Sequence, residues 1–301
     1  MIRIAHLINP VNVTESANFY KYQQITFKSI IEASKWANNN IKLNLYTTQF
    51  TEDQTITPVE FHQLSDLKES TLEIFPTIQE KKLPYIFEIF DKFSEVNEAD
   101  YYLYTNADIA LMPFFYNVVS DYIANGHDAI VINRRRISKK SANNLTISQL
   151  YSEIGKSHPG FDCFIFKAEL LRNFILGKII VGIPFIEVTL LNNIAAFSRN
   201  PLYLTNAHLT FHIGMEVLPK RNKLLYWHNR NEFFKKIQPI LKPLLNIHKF
   251  PYAYLPFYLR AIKWILNPSL FTINYLELEN RSIVQKIINK VNEFRWRILN
   301  R

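Results

Sequence analysis

The chain has 301 residues, of which 48% are hydrophobic and 20% are charged, a composition typical of a folded protein and not of a disordered one. A single cysteine, Cys163, excludes an intramolecular disulfide, and no Cys/His spacing predicts a zinc site. No apolar stretch reaches the ~18 residues of a membrane-spanning helix, and the first ten residues do not resemble a signal peptide. We therefore expect a cytoplasmic protein whose membrane contact, if any, is peripheral.

The net charge of +9 is distributed unevenly along the chain. Residues 220–301 contain 16 Lys/Arg and four Asp/Glu, a net charge of +12, whereas residues 1–219 carry a net charge of −3. A basic field attracts anionic lipid head groups, nucleic acid and acidic glycans alike. The charge therefore predicts a polyanionic partner for the C-terminal part without choosing among these three.

Strand and helix patterns alternate over the first two thirds of the chain. Short apolar runs predict strands at 2–8, 41–47, 101–105, 128–133 and 163–166. Helical spacing predicts helices at 19–38, 59–70, 83–97, from 113, near 145–154, from 168 and after 182. Because alternating strands and helices form covered, mostly parallel sheets, we predict an α/β fold with helices on both faces of the sheet.

The C-terminal part has a different pattern. Residues 250–258 interleave aromatic side chains with two prolines, which disfavours a continuous helix. From 282 to 299 apolar residues return at helical spacing, which predicts an amphipathic helix. We therefore divide the chain into an α/β domain at 1–219 and a basic, aromatic-rich, mainly helical extension at 220–301.

Polar residues follow several of the predicted strands. In open α/β sheets ligands bind beyond the carboxyl ends of the strands, which draws attention to Asn9, Asp53, Asn106, Asp108 and Arg134. A carboxylate such as Asp108 suits a hard divalent cation that also binds phosphate, and an arginine fork suits phosphate oxygens. Alternatively, Asn106 and Asp108 cap the following segment, as Asn and Asp often do at turns, and Arg134 belongs to a solvated basic turn.

The segment YYLYTNADIALMPFFY, residues 101–116, resembles the Asp-x-Asp strand and loop of GT-A glycosyltransferases. The resemblance implies a Rossmann-like GT-A fold and a nucleotide-sugar donor whose diphosphate binds Mn²⁺ or Mg²⁺. It makes Asp108 the metal ligand and Asn106 a contact to the ribose or the donor sugar. Asn9, Asp53 and Arg134 become further donor-binding candidates. The chain departs from the pattern by having Asn in the first acidic position.

Two later blocks carry candidate catalytic acids. The segment HPGFDCFIFKAELL, residues 158–171, is similar to the acceptor-side loop and strand of these enzymes, and Glu187 lies in the first turn of the helix predicted after 182. The resemblance implies that Glu187 is the general base of an inverting reaction, with Asp162 as second choice. In a retaining reaction either residue would stabilise an oxocarbenium-like centre. Alternatively, Glu187 only stabilises its helix N-terminus, an effect of ~0.3–1 kcal/mol.

Two histidines, His208 and His212, lie in a segment whose Thr, Phe and Ile residues favour an extended conformation. GT-A enzymes often return a late histidine to the metal, so the resemblance makes His212, or else His208, a second metal ligand. His228 is a further candidate. Alternatively, each is an ordinary hydrogen-bonded histidine.

The resemblance covers residues 1–215 and implies glycosyl transfer to a hydroxyl of a glycan or a lipid-linked glycan. The basic extension, with Trp264, Trp296 and residues 250–258, is expected to bind an anionic membrane surface, unless its aromatic side chains pack back on the α/β domain. Two other functions remain open. One is nucleic-acid binding through the extension, which leaves the acidic blocks unexplained, and the other is sugar-nucleotide binding without catalysis.

Overall fold

The computed structural model describes residues 1–15, 17–53, 57–76, 82–142, 145–214 and 222–266. Within this part of the chain the strands are β1 (Ile2–Ile8), β2 (Ile41–Thr47), β3 (Phe61–Gln63), β4 (Tyr101–Thr105), β5 (Ala110–Leu111), β6 (Ala129–Ile137), β7 (Lys156–Lys167), β8 (Pro201–Leu204) and β9 (Thr210–Ile213). All of them belong to one sheet.

The sheet has the order β3-β2-β1-β4-β7-β6-β9-β5, and β8 pairs with the first half of β6 while β9 pairs with its second half. Strands β3, β2, β1 and β4 are mutually parallel. Strand β7 runs antiparallel to both β4 and β6, so β6 points in the same direction as β4. The carboxyl ends of β1, β2, β4 and β6 therefore meet at one edge of the sheet.

Helices cover both faces of the sheet. Those of the described residues are α1 (Asn18–Trp36), α2 (Ile86–Asp91), α3 (Phe115–Ala124), α4 (Lys139–Ala142), α5 (Ile147–Ser152), α6 (Ile186–Phe197), α7 (Lys223–Glu232), α8 (Gln238–Leu241) and α9 (Phe257–Leu266). A π-helical turn, Phe233–Ile237, joins α7 to α8. This mixed, mostly parallel sheet between helical layers confirms the predicted α/β fold class.

Strand β1 shows how the sequence divides the core. Its side chains alternate between the two faces of the sheet, as the strand period requires. Ile4 and Ile8 pack with α1 and α3 on one face, whereas Ala5 and Leu7 pack with α2 and α6 on the other. Both faces are apolar because helices cover both.

A local irregularity interrupts the ladder between β6 and β7. Ile132 pairs with Cys163 and Asn133 pairs with Phe161, so Asp162 has no partner in the register. A second shift follows, and Arg134 also lies outside the regular pairing. Bulges of this kind bend a strand and redirect side chains, often next to a functional site.

Several predicted elements differ from the observed ones. The helix predicted at 59–70 is wrong, because Phe61–Gln63 forms strand β3, which pairs in parallel with β2. The helix predicted at 83–97 is shortened to α2 followed by the 3₁₀ turn Lys92–Glu95, and the one from 168 is the 3₁₀ turn Ala168–Asn173. Tertiary pairing and packing override these local propensities.

The described residues of the extension pack on the α/β core. Phe233, Ile237 and Leu241 join the same apolar cluster as Val188 of α6, and Trp264 is 6% exposed within it. The boundary at 219 remains a prediction, and the helix predicted at 282–299 lies outside the described residues. Among the described residues, no helix is both long and apolar enough to span a membrane.

Candidate functional site

Five of the predicted site residues meet at the carboxyl edge of the sheet. Asn106 and Asp108 follow β4, Arg134 lies in the bulged part of β6, Asp162 occupies the bulge of β7, and His212 lies in β9. The sheet order brings these segments together, because β4, β7, β6 and β9 are consecutive neighbours. The site is therefore a product of strand pairing between distant parts of the sequence.

Asp108 and His212 form the first pair of this site. The Nε2 atom of His212 lies 3.1 Å from Oδ2 of Asp108, and the two side chains are 14% and 21% exposed. Burial alone would raise the pKa of Asp108, but His212, Arg134 and a backbone hydrogen bond outweigh it, so the pKa lies below its ordinary value. Asp108 therefore carries its negative charge. The other ring nitrogen of His212, Nδ1, is buried and has no hydrogen-bond partner among the described residues.

Asp162 and Arg134 form the second pair. Nη1 of Arg134 donates to Oδ1 of Asp162 at 2.7 Å, and Nδ2 of Asn106 donates to the same oxygen at 3.4 Å. The pKa of Asp162 is nevertheless raised, because burial and the negative charge of Asp108 outweigh the attraction of Arg134 and His212. Among the described residues its second oxygen, Oδ2, has no hydrogen-bond partner and is buried. Burying a polar atom in this way is costly, which agrees with the raised pKa of Asp162.

Glu187 approaches the same strand from α6. It lies in the first turn of that helix, and its Oε1 accepts a hydrogen bond from the backbone N–H of Phe161 at 2.9 Å. A Cβ atom on Gly160 would lie 2.6 Å from Oε2 of Glu187, closer than two such atoms can pack. Gly160 thus leaves the space that the carboxylate occupies, two residues before Asp162 along β7.

Two residues that support the candidate site, His158 and Tyr104, were not predicted from the sequence. His158 is 6% exposed, and its Nδ1 accepts the N–H of Gly160 at 2.9 Å. Burial, reinforced by Arg134 and Arg136, lowers the pKa of His158 far below its ordinary value, so the ring is neutral. Tyr104, fully buried, donates its hydroxyl to Oδ1 of Asn106 at 3.2 Å. The His-Pro-Gly sequence was a usable signal for His158, whereas the apolar surroundings of Tyr104 in the sequence predict only a core residue.

A cavity of about 250 Å³ opens beside the first pair. Its lining includes Asp108, His212 and Lys139. The remaining lining comes from Ile213 and from the first turns of α1, namely Asn18, Phe19 and Tyr22. A helix N-terminus carries a partial positive charge, so α1 and Lys139 favour an anion here. Lys139 and α1 were not predicted as site elements, because nothing in their sequence pattern separates them from ordinary helix starts.

Other candidates have different partners. The amide of Asn9 donates to the carbonyl of Thr48 at 2.7 Å, which ties β1 to the end of β2. Asp53 lies in the turn after β2, where burial and Glu52 raise its pKa. His228 contacts the carbonyl of Lys178 at 2.8 Å, and burial together with Arg135 lowers the pKa of His208. No described contact joins these four residues to Asp108 or Asp162.

The residues present can hold a hard cation only together with a ligand. Among the described residues there is no group of three or more His, Cys, Asp or Glu side chains that could hold a metal by themselves. Asp108 and His212 offer two ligand atoms 3.1 Å apart. Neighbouring ligands of an octahedral ion at ~2.1 Å are separated by about 3 Å, so both atoms fit one ion. Phosphate and water oxygens would complete such a shell.

Known proteins resemble this chain in structure but not detectably in sequence. No family model and no curated protein matches the sequence. Solved structures that resemble the chain include S. aureus TarS 1-349 in complex with UDP-GlcNAc, at 10% identity and a TM-score of 0.45, over 96% of this chain and 92% of that one. The mannosyltransferase PcManGT from Pyrobaculum calidifontis, in complex with GDP-Man and Mn²⁺, has 12% identity and a TM-score of 0.46, over 98% of this chain and 82% of that one.

A third structure, M. tuberculosis glucosyl-3-phosphoglycerate synthase in complex with UDP, has 11% identity and a TM-score of 0.45, and it covers 80% of each chain. All three TM-scores lie below 0.5. Conclusions about activity therefore rest on this chain's own residues.

Proposed function

We propose that this chain is a glycosyltransferase of the GT-A class, which moves a sugar from a nucleotide-sugar donor to a hydroxyl of a glycan or a lipid-linked glycan. The observation that carries the proposal is the cavity beside Asp108. It combines an ionised carboxylate and an imidazole with two positive elements, Lys139 and the N-terminus of α1. A diphosphate bound with a divalent cation matches this mixture of charges, whereas either ion alone does not.

The roles on the donor side follow from this charge pattern. Asp108 and His212 would hold Mn²⁺ or Mg²⁺, and the cation would offset the charge that develops on the departing nucleoside diphosphate. Lys139 and the N-terminus of α1 attract phosphate oxygens. Asn106, held by Tyr104 and Asp162, is oriented to contact the ribose or the donor sugar. Asn9 and Asp53 follow the neighbouring strands and are proposed to bind the rest of the nucleoside.

The roles on the acceptor side fall to the carboxylates beside β7. Glu187 accepts the proton of the attacking acceptor hydroxyl in an inverting reaction, and its contact with Phe161 orients the carboxylate. Arg134 balances the charge of Asp162, a buried carboxylate that also accepts a hydrogen bond from Asn106. In a retaining reaction Asp162 or Glu187 would instead stabilise the positive charge on the sugar.

A thermal-shift screen tests donor binding. UDP-, GDP-, CMP- and dTDP-sugars are added with and without Mn²⁺, and binding to the native state raises the unfolding temperature by mass action. We expect one nucleotide to give a shift that Mn²⁺ increases and that Asp108→Asn removes. The matched control is Asp121→Asn, an exposed residue of α3. A screen in which every donor leaves the unfolding temperature unchanged would contradict the proposal. Sugar transfer or donor hydrolysis then separates an enzyme from a non-catalytic binder.

We also propose that the extension holds the enzyme at an anionic membrane surface. Trp264, which we expected to contribute, is instead buried and donates its indole N–H to the carbonyl of Pro251 at 2.8 Å. Other side chains take its place: Tyr254, Phe257 and Tyr258 are 77%, 75% and 64% exposed. Residues 233–266 include six Lys/Arg and no Asp or Glu. Exposed aromatic rings beside basic residues match the interface of an anionic bilayer.

Vesicle co-sedimentation tests this location. The full chain should pellet with phosphatidylserine vesicles at low salt, but not with neutral phosphatidylcholine vesicles. Replacing Phe257 and Tyr258 by serine should reduce the bound fraction several-fold. The control is Trp36→Ser, because Trp36 is 65% exposed at the end of α1. Equal binding by the serine double variant and the wild type would contradict docking through this face.

A further inference from the structure

Helix α7, which belongs to the basic extension, is hydrogen-bonded to the loop that leads into α6. Asn229 of α7 is fully buried. Its Oδ1 accepts the N–H of Ile180 at 2.8 Å, and its Nδ2 donates to the carbonyls of Ile180 at 3.0 Å and Pro184 at 2.9 Å. One side chain thus satisfies both backbone groups of Ile180 and also the carbonyl that precedes Phe185. Residues 180–184 are thereby fixed to α7 at both ends.

The next residue, Phe185, has an unusual backbone conformation. Its φ of 94° lies in the left-handed region, which is an outlier for a bulky side chain, and it immediately precedes α6. The ring is 2% exposed and packs against Tyr226, Phe233 and Phe234 of the extension, at centroid distances of 5.6–5.8 Å. Such strain persists only where the surroundings over-determine it, and it is frequent at functional sites.

Glu187 follows two residues later. Its carboxylate fits against Gly160 and accepts from Phe161, so its position depends on where α6 begins. The start of α6 depends in turn on the backbone of Phe185 and on the loop that Asn229 holds. We propose that Asn229 is a positioning residue for Glu187, and that the extension is therefore part of the catalytic apparatus. This inference rests on the proposed function, in which Glu187 takes the acceptor proton.

The chain offers a matched control for Asn229. Asn193 of α6 is also fully buried, its Oδ1 accepts the N–H of Ile175 at 2.6 Å, and its Nδ2 donates to the carbonyl of Ile175 at 2.9 Å. Like Asn229, it bonds both the N–H and the carbonyl of a single residue. Asn193 lies in α6 itself and also donates to the carbonyl of Thr189 within that helix. However, the residue that it holds, Ile175, lies eleven residues before α6 begins, whereas Asn229 holds the carbonyl of Pro184, two residues before it. Replacing either Asn by Ala removes an equivalent set of hydrogen bonds.

The kinetic experiment compares Asn229→Ala with Asn193→Ala in the full chain. A displacement of ~1 Å at a reacting group can cost ~10²-fold in rate. We expect Asn229→Ala to lower kcat for transfer by ~10–10²-fold, with the KM for the donor nearly unchanged and the Mn²⁺-dependent thermal shift retained. Asn193→Ala should lower the unfolding temperature by a similar amount but change kcat less than about threefold. Equal losses of kcat in the two variants would overturn the inference.

Two further readouts separate positioning from general destabilisation. In a Glu187→Gln background, Asn229→Ala should cause little additional loss of kcat, because the group that it positions is already gone. A full additional loss would overturn the inference. Hydrogen exchange needs no activity: the peptide spanning 180–187 should exchange faster in Asn229→Ala than in Asn193→Ala. If the two variants exchange alike there, Asn229 does not hold the loop. A wild type that transfers no sugar but shows this exchange difference would contradict the proposed function alone.

Discussion

Two histidines near the same strand end behave in opposite ways. His6 belongs to β1, next to β4, and is fully buried, with Nδ1 2.8 Å from the hydroxyl of Tyr116 and Nε2 2.9 Å from that of Thr105. Burial lowers the pKa of His6 to about 3, so the ring stays neutral. His212 instead faces the carboxylate of Asp108 at a cavity, and its Nδ1 has no hydrogen-bond partner among the described residues.

The difference separates a structural histidine from a candidate ligand. Both nitrogens of His6 are used by neutral groups, so this ring has no capacity left for a ligand. Nε2 of His212 instead faces the ionised carboxylate of Asp108 beside a cavity, where one cation could contact both atoms. An ionised partner and access to a cavity thus distinguish the candidate site at the edge of the sheet from the neutral polar network around His6.

The largest expected effect comes from Asp108→Asn. This change keeps the shape of the side chain but removes the negative charge of the carboxylate, which is proposed to bind the cation. We expect kcat/KM for transfer to fall by about 10³-fold, the upper end for loss of one electrostatic group in an active site. Steady-state kinetics at saturating Mn²⁺ measure the loss, with Asp121→Asn as control. Wild-type turnover in the Asp108 variant would remove this residue from the site.

The next effect concerns Glu187 and its space beside Gly160. Glu187→Gln should lower kcat by about 10²-fold, within the range for a general base, with little change in donor affinity. Gly160→Ala introduces a Cβ atom 2.6 Å from Oε2 of Glu187 and should lower kcat about tenfold. In the Glu187→Ala background the Gly160 substitution should lose most of its effect. Additive losses in that double variant would show that Gly160 acts elsewhere.

A paired substitution tests the two histidines directly. His212→Gln should lower activity by about 10–100-fold, as for other groups that support a metal site, and should change the unfolding temperature little. His6→Gln should do the reverse: it disturbs a buried hydrogen-bonded pair at a cost of about 1–3 kcal/mol in the free energy of unfolding. Activity assays and thermal melts on both variants suffice. If the two variants lost activity and stability to the same extent, the distinction between a ligand histidine and a structural histidine would be wrong.

The smallest effect is a dependence of stability on pH. The pKa of His6 is about 3 in the folded protein and near 6.5 in the unfolded chain. Between these two pH values the unfolded chain binds a proton at His6 and the folded protein does not. The contribution of neutral His6 is therefore complete above pH 6.5 and declines as the pH falls toward 3, by at most about 1.4 kcal/mol per pH unit. Urea unfolding from pH 7 to 4.5 should show the stability gap between wild type and His6→Gln narrowing. A gap independent of pH would contradict this.

Most residues of the candidate site were predictable from the sequence, whereas their pairings were not. Asn106 and Asp108 are spaced by two residues after an apolar strand, and a polar group after a buried strand predicts a ligand site on local grounds. His212 was one of three candidate histidines, and the extended pattern of 208–213 cannot tell whether His208 or His212 faces the edge. Arg134 and Asp162 meet only because both lie at a bulge, which depends on how β6 and β7 pair.

The sequence by itself determined the alternation of strands and helices, the ends of β1, β2 and β4 and the acidic residue that follows β4, since side-chain periodicity is a local property. It did not determine β3, β5 and β8, which are short and depend on pairing with neighbouring strands. It also determined the uneven charge, but not which aromatic side chains of the extension remain exposed. Only the tertiary structure decided that His212 reaches Asp108, that Trp264 is buried and that Asn229 holds the loop before Glu187. These contacts join segments far apart in the chain, and local pattern does not encode the sheet order and helix packing that bring them together.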